Sequence, residues 1–123
     1  MSFTQSDLQQ FTGTATWWRL PTGLLLTDGA KYVAENGGAW IIDLIESHQL
    51  NPKVKAEEMQ FWTIRKHDDN TATATCTEGG KDGGEPVALT SQKILYTDLP
   101  VKEIRLYRVN DGEHVVLMLS TEY

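Results

Sequence analysis

By residue type, His48, His67, His114 and Cys76 are the side chains best suited to acid–base, metal or nucleophilic chemistry, and their spacing does not supply it. No histidine pair stands in H-x-x-x-H or H-E-x-x-H spacing. His48 falls on the apolar side of a predicted helix, near its end. A ring there can donate to the last carbonyls and favour the helix dipole. His67 beside Asp68 and Asp69 could hold a cation, but a solvated turn explains that cluster more simply. Cys76 sits among small residues of a predicted strand and reads as an inert core thiol. The glycines at 79, 80, 83 and 84 lack the Lys-Ser/Thr ending of a phosphate loop, and no G-x-S-x-G context exists. One enzymatic arrangement stays open: Asp28, Asp43 and His48 as acid–base groups between helices and sheet. Asp43 and His48 are five residues apart, roughly 500° of helical turn, so they would meet only around a third group. No catalytic residue, metal or cofactor is assigned.

A second constellation points to binding. Trp17, Trp18 and Arg19, with Asp28 and Lys31, form a candidate partner-binding cluster. Adjacent tryptophans on an extended segment point to opposite faces. An exposed one is a frequent anchor at protein interfaces. The plainer expectation is that one packs beneath helices while the other covers an edge. Asp28 then serves as a helix cap rather than an acid catalyst, and Lys31 with Glu35 forms a solvent-side ion pair of little consequence.

The elements that must position these groups follow from local pattern. Thr4 and Ser6 can cap a short helix reaching about Phe11. Thr12–Leu20 reads as extended, stopped by Pro21. Thr27 or Asp28 can cap a helix to about Asn36, ended by Gly37 and Gly38. The strongest signal is a helix over Ala39–Leu50. There Trp40, Ile41, Leu44, Ile45 and His48 share one wide face, and Asn51-Pro52 ends it. From Glu58 the period changes to two. Glu58–Lys66 and Thr71–Thr77 read as a hairpin around residues 67–70, the second run alternating threonine with Ala72, Ala74 and Cys76. Ser91–Thr97, Lys102–Val109 and Glu113–Ser120 read as three further strands, the last two joined at Asp111-Gly112. The apolar run Val115–Leu119 predicts a central strand covered on both faces. Residues 78–86, rich in glycine and charge, read as a mobile loop. The implied fold class is α+β: one domain over 1–123, with N-terminal helices on one face of a four- to five-stranded antiparallel meander. Ile41→Ala or Leu44→Ala in the long helix should cost roughly 2–5 kcal/mol.

Bulk properties narrow the setting. The chain has 123 residues and a net charge of -6, from 17 acids and 11 bases. Residues 1–50 hold five acids and two bases and residues 51–123 hold twelve and nine, so neither half is a basic arm. A phosphate backbone would be repelled overall, which argues against direct nucleic-acid binding. Apolar runs are too short to span a bilayer, so no membrane partner is expected. One cysteine rules out an intrachain disulfide and fits a reducing, cytoplasmic setting.

The stretches FTGTATWW (Phe11–Trp18), LLLTDGAKYVAENGGAWIIDLIESHQ (Leu24–Gln49), ILYTDLPVKEIRLY (Ile94–Tyr107) and LSTEY (Leu119–Tyr123) cover most of the chain. Together they resemble a family of small uncharacterised proteins found in bacterial genomes, phages and plasmids. The most specific parts are TDG at Thr27–Gly29, Trp40, and SHQ at Ser47–Gln49. The resemblance implies a stand-alone domain common on mobile elements and supplies no catalytic residues. The best functional expectation is a non-enzymatic accessory protein that binds a protein partner or a second copy of itself. The alternative is the small enzyme built on Asp28, Asp43 and His48.

Overall fold

The computed structural model describes residues 3–78 and 88–123. Thr4 opens α1 (Gln5–Gln9) with a reciprocal cap: its hydroxyl accepts from Asp7 N at 3.1 Å, and Asp7 Oδ2 accepts from Thr4 N at 2.9 Å. Two very short strands follow, β1 (Trp18–Arg19) and β2 (Leu25–Leu26). Thr27 caps α2 (Asp28–Val33) by accepting from Ala30 N. The chain then kinks at Asn36 and Gly37, where Gly37 takes φ 102°, before α3 (Ala39–Ser47) begins. Glycine is the residue that holds such a φ without a Cβ penalty. At Gly38 a Cβ would lie 2.4 Å from Val33 Cγ1, so the two helices approach closely there.

The long predicted helix is present, with its last turn tightened over His48–Leu50. Ile41, Ile42, Leu44 and Ile45 are buried, each contributing about 1.5–3 kcal/mol by leaving water. Asn51-Pro52 ends it and also starts a helix absent from the sequence reading, α4 (Pro52–Lys55), capped by Asn51. The strands are β3 (Met59–Lys66), β4 (Ala72–Thr77), β5 (Ala88–Ile94), β6 (Glu103–Asn110) and β7 (Val115–Leu119). The expected glycine-rich loop over 78–86 lies, past Glu78, outside the described residues.

The sheet corrects the expected one in three respects. Among the described residues it has seven strands in the order β1-β2-β7-β6-β3-β4-β5, so it is neither four- to five-stranded nor a meander. It is mixed, because β2 runs parallel to β7 with Leu25 opposite Val116 and Leu26 opposite Leu117. Finally, β7 lies inside the sheet but is covered on one face only: Leu117 and Leu119 are buried while Val116 and Met118 are accessible.

The meander fails because β6 pairs with β3 rather than β5. The intervening chain crosses the β3–β4 hairpin. Thr97 N donates to Asn70 O at 2.8 Å, Lys66 N donates to Lys102 O at 2.8 Å, and Leu99 and Val101 are buried beneath it. Burial of those two side chains fixes a crossing that residue-by-residue alternation does not encode.

The helices cover one sheet face. Arg108 on β6 forks onto Glu46 of α3 at 2.7 and 3.2 Å. Gln60 is fully buried on β3, and its amide is fully used. Its nitrogen donates to Gln49 Oε1 and Val54 O, while its oxygen accepts from Gln49 Nε2 and Trp62 Nε1. A buried amide with every partner made fixes the seating of α3 and α4 without the cost of an orphaned polar group. The C-terminal turn closes the other end. Glu122 accepts from Thr27 Oγ1 at 2.6 Å, Leu119 N at 2.9 Å and Gly29 N at 3.0 Å. A Cβ on Gly29 would lie 2.5 Å from that carboxylate.

Candidate functional site

The cluster formed by Trp17, Trp18, Arg19, Asp28 and Lys31 is divided by the structure. In β1, Trp18 pairs with the inward Leu26, and Arg19 with the outward Leu25. Alternation therefore sends Trp18 toward the helix side and Trp17 with Arg19 to the opposite side. Neither tryptophan enters the core: Trp17 is 54% and Trp18 42% exposed.

On the helix side, Asp28 is not the cap; Thr27 is. The Asp28 carboxylate instead accepts from Ala15 N at 3.0 Å and Trp18 Nε1 at 3.1 Å, and Asp28 N donates to Thr14 Oγ1. These bonds pin the chain before β1 to the start of α2. They hold the Asp28 carboxyl below its usual range, the Ala15 amide first and the Trp18 indole next. Lys31 pairs with Glu35 as expected, and its Nζ also lies 4.1 Å from the Trp18 ring centroid. A small cleft of ≈ 210 Å³ is lined by Phe11, Trp18, Asp28, Lys31, Tyr32 and Glu35.

On the other side, the outward residues of the strands form four rows across the sheet. The first is apolar: Leu25, Val116, Val109 and Met59, with Arg19 at its edge. The second is aromatic: Met118, Tyr107 and Phe61, ending at Thr77. The third is Arg105, Thr63, Thr75 and Ser91; the fourth is Glu103, Arg65, Thr73 and Lys93. None of these residues is buried. Tyr107 makes edge contacts with Phe61 at 4.8 Å and with Tyr123 at 5.6 Å, so the aromatic row is ordered by its own packing. Glu103 accepts from both Arg105 and Arg65, and those two cations hold its carboxyl below the usual range.

Two concavities open on this face. One of ≈ 500 Å³ lies among Trp17, Arg19, Leu25, Asp111, His114 and Val116. Another of ≈ 380 Å³ is lined by Thr63, Arg65, His67, Thr73, Thr75 and Thr77. The sequence reading placed no functional weight on Phe61, Tyr107, Val109, Val116 or Met118. Their period-two spacing was the available signal, but only strand order shows that they form one surface.

The groups considered for acid–base work are not joined. His48 Nε2 meets Gln92 Oε1 at 2.6 Å rather than the helix-end carbonyls, and its ring lies 5.4 Å from Trp62. Asp43 is exposed on α3, and Asp28 keeps the partners described above. Cys76 is buried, and burial first, then the charge of Glu57, pushes its thiol up to about 12. That removes the thiolate a nucleophile would need. Among the described residues no group of three or more His, Cys, Asp or Glu could hold a metal ion, and no helix is long and apolar enough to cross a membrane.

A layer of helices on one side of a seven-stranded mixed sheet, with the other side open, defines a two-layer α+β protein. The chain belongs to a family of unknown function, DUF6876, whose model matches residues 2–123. No curated protein and no solved structure matches it.

Proposed function

We propose that the protein acts by binding another protein, without catalysis, through the open face of its sheet. The observation that carries this reading is that face itself: four aligned rows of side chains, none buried, opposite a face that the helices cover over its central strands. Contiguous accessible apolar surface of this kind marks contact sites more often than scattered exposed residues do. Trp17 stands at its corner as the anchor. The face also holds Arg19, Arg65, Lys93 and Arg105 against Glu103, with Asp111 at the rim of one concavity, in a chain of net charge -6. It therefore suits a protein surface that presents apolar side chains beside carboxylates. A second copy of the chain is a particular case of such a partner. An accessory role on mobile elements, in a reducing cytoplasm, fits this reading.

The test is affinity purification from the native host with wild type and with Trp17→Ala/Phe61→Ala, alongside sedimentation of the purified chain. The double variant should keep its fold and lose the co-eluting partner, or lose self-association if wild type sediments as a dimer. Equal partner recovery by both proteins would end the proposal.

A further inference from the structure

We propose that the cleft between Trp18 and α2 is a receptor for a methylated ammonium group. It lies on the helix side, away from the open sheet face, and stands or falls separately from the reading above. Its walls are three aromatic rings. Phe11 and Tyr32 pack with centroids 5.2 Å apart, and Trp18 lines the open cleft beside them with its indole N–H donating to Asp28. That bond holds the ring edge and leaves a π-face turned to the cleft. Asp28 and Glu35 line the same space, and Asp7 faces the Tyr32 hydroxyl. Two carboxylates in the lining of three rings, with Asp7 beside Tyr32, against the one ammonium of Lys31, favour a cation.

Lys31 already displays that preference. Its ammonium stands over the Trp18 ring while paired with Glu35. The protein's own side chain thus occupies the position a ligand cation would take, as a tethered and exchangeable competitor. Its stem is flexible, and Glu35 is more than half exposed, so Lys31 can swing outward and keep its ion pair. A methylated ammonium has the advantage over a primary one here. It is weakly hydrated, so it loses little on leaving water, and it spreads its charge over methyl groups that fit aromatic walls. Its source can be a methylated lysine of a protein or a free choline-like molecule.

The Trp18 indole resonance reports on the site. It is followed by heteronuclear NMR during titration with tetramethylammonium chloride, choline chloride and a trimethyllysine peptide, with sodium chloride as the ionic-strength control. The proteins are wild type, Lys31→Gln and Trp18→Ala, the last followed by calorimetry. The expected result is saturable binding to wild type and about tenfold tighter binding to Lys31→Gln, since the internal competitor is gone. Trp18→Ala should lose binding while its other indole resonances stay in place. Tighter binding of the peptide than of choline identifies a protein tail as the source, and the reverse identifies a small molecule. The proposal is overturned if Lys31→Gln shows no saturable shift with any of the three, if sodium chloride produces the same shift, or if Trp18→Ala binds as well as wild type.

Discussion

Ala74 and Thr75 are neighbours in one strand and belong to opposite sides of the protein. Ala74 is fully buried beneath the helix layer, whereas Thr75 faces outward among other hydroxyls. The same division runs through β3, β4, β6 and β7. Inward positions are filled and satisfied, down to the Gln60 amide with all its hydrogen bonds made. Outward positions are ordered but accessible. The inner face thus carries stability, and the outer face is free to carry recognition. The two tryptophans of the β1 region mark the border, one directed to each side.

The largest expected effect tests the covered side. Ile45 is fully buried on α3. Ile45→Ala removes side-chain volume that the packed sheet cannot refill and should cost about 2–5 kcal/mol. Chemical denaturation would show it as a fall in midpoint at unchanged slope. A midpoint like that of wild type would mean α3 does not seat on the sheet as described.

Glu122 comes next. Three donors converge on its carboxylate, from Thr27, Gly29 and Leu119. Glu122→Ala leaves those groups to find other partners in a half-buried corner, at a cost of roughly 2–3 kcal/mol. Hydrogen exchange should speed up at Gly29 and Leu119 before it does in β3. Protection lost uniformly across the sheet would instead mean that the corner and the core open as one unit.

These two positions also show what could be read in advance. Ile45 was legible because a helix writes its buried face into a local 3.6-residue period. The β3–β4 and β6–β7 hairpins were legible for the same reason, each being a period-two pattern around a turn. The Glu122 corner was not legible. The TDG segment and the closing LSTEY both stand out in the sequence, but nothing local indicates that residues some ninety positions apart touch. The two-residue strands β1 and β2 are too short to show alternation. The crossover that sets β6 beside β3 depends on where Leu99 and Val101 are buried. At the candidate site, the sequence identifies Trp17, Trp18, Arg19, Asp28 and Lys31 as residues of interest. It treated them as one cluster, because the side of the sheet each would join depends on β2 pairing with β7. It left the cap open between Thr27 and Asp28, since both suit that position by type, and Thr27 takes it.

The two sides can be compared by one substitution made twice. Ala74→Val adds methyl groups at a position with no room and should destabilise by about 1–3 kcal/mol. Thr75→Val, one residue on, is nearly isosteric and faces outward. It should stay within about 0.5 kcal/mol of wild type. Thermal unfolding of the pair measures the difference directly. Similar melting of the two variants would erase the distinction between covered and open faces on β4.

The smallest effect lies at the border and is read by pH. Asp28 is titrated below its usual range because its charged form accepts from Ala15 N and Trp18 Nε1. A carboxylate depressed in the folded state stabilises that state above its ordinary pKa, and the stabilisation is lost as pH falls through the depressed value. The Trp18 clamp should therefore hold throughout the normal carboxylate range and release only below it, while the sheet remains folded. The indole resonance of Trp18 should move at that low pH, and the resonance of Trp62, bonded to Gln60 inside the core, should not move with it. In Asp28→Asn the step should vanish, since the amide has no charge to lose. A Trp18 transition at or above the ordinary carboxylate pKa would show that Asp28 does not hold the indole. Trp18 would then be as loosely attached as Trp17, and the contrast between the two sides would end at the sheet edge.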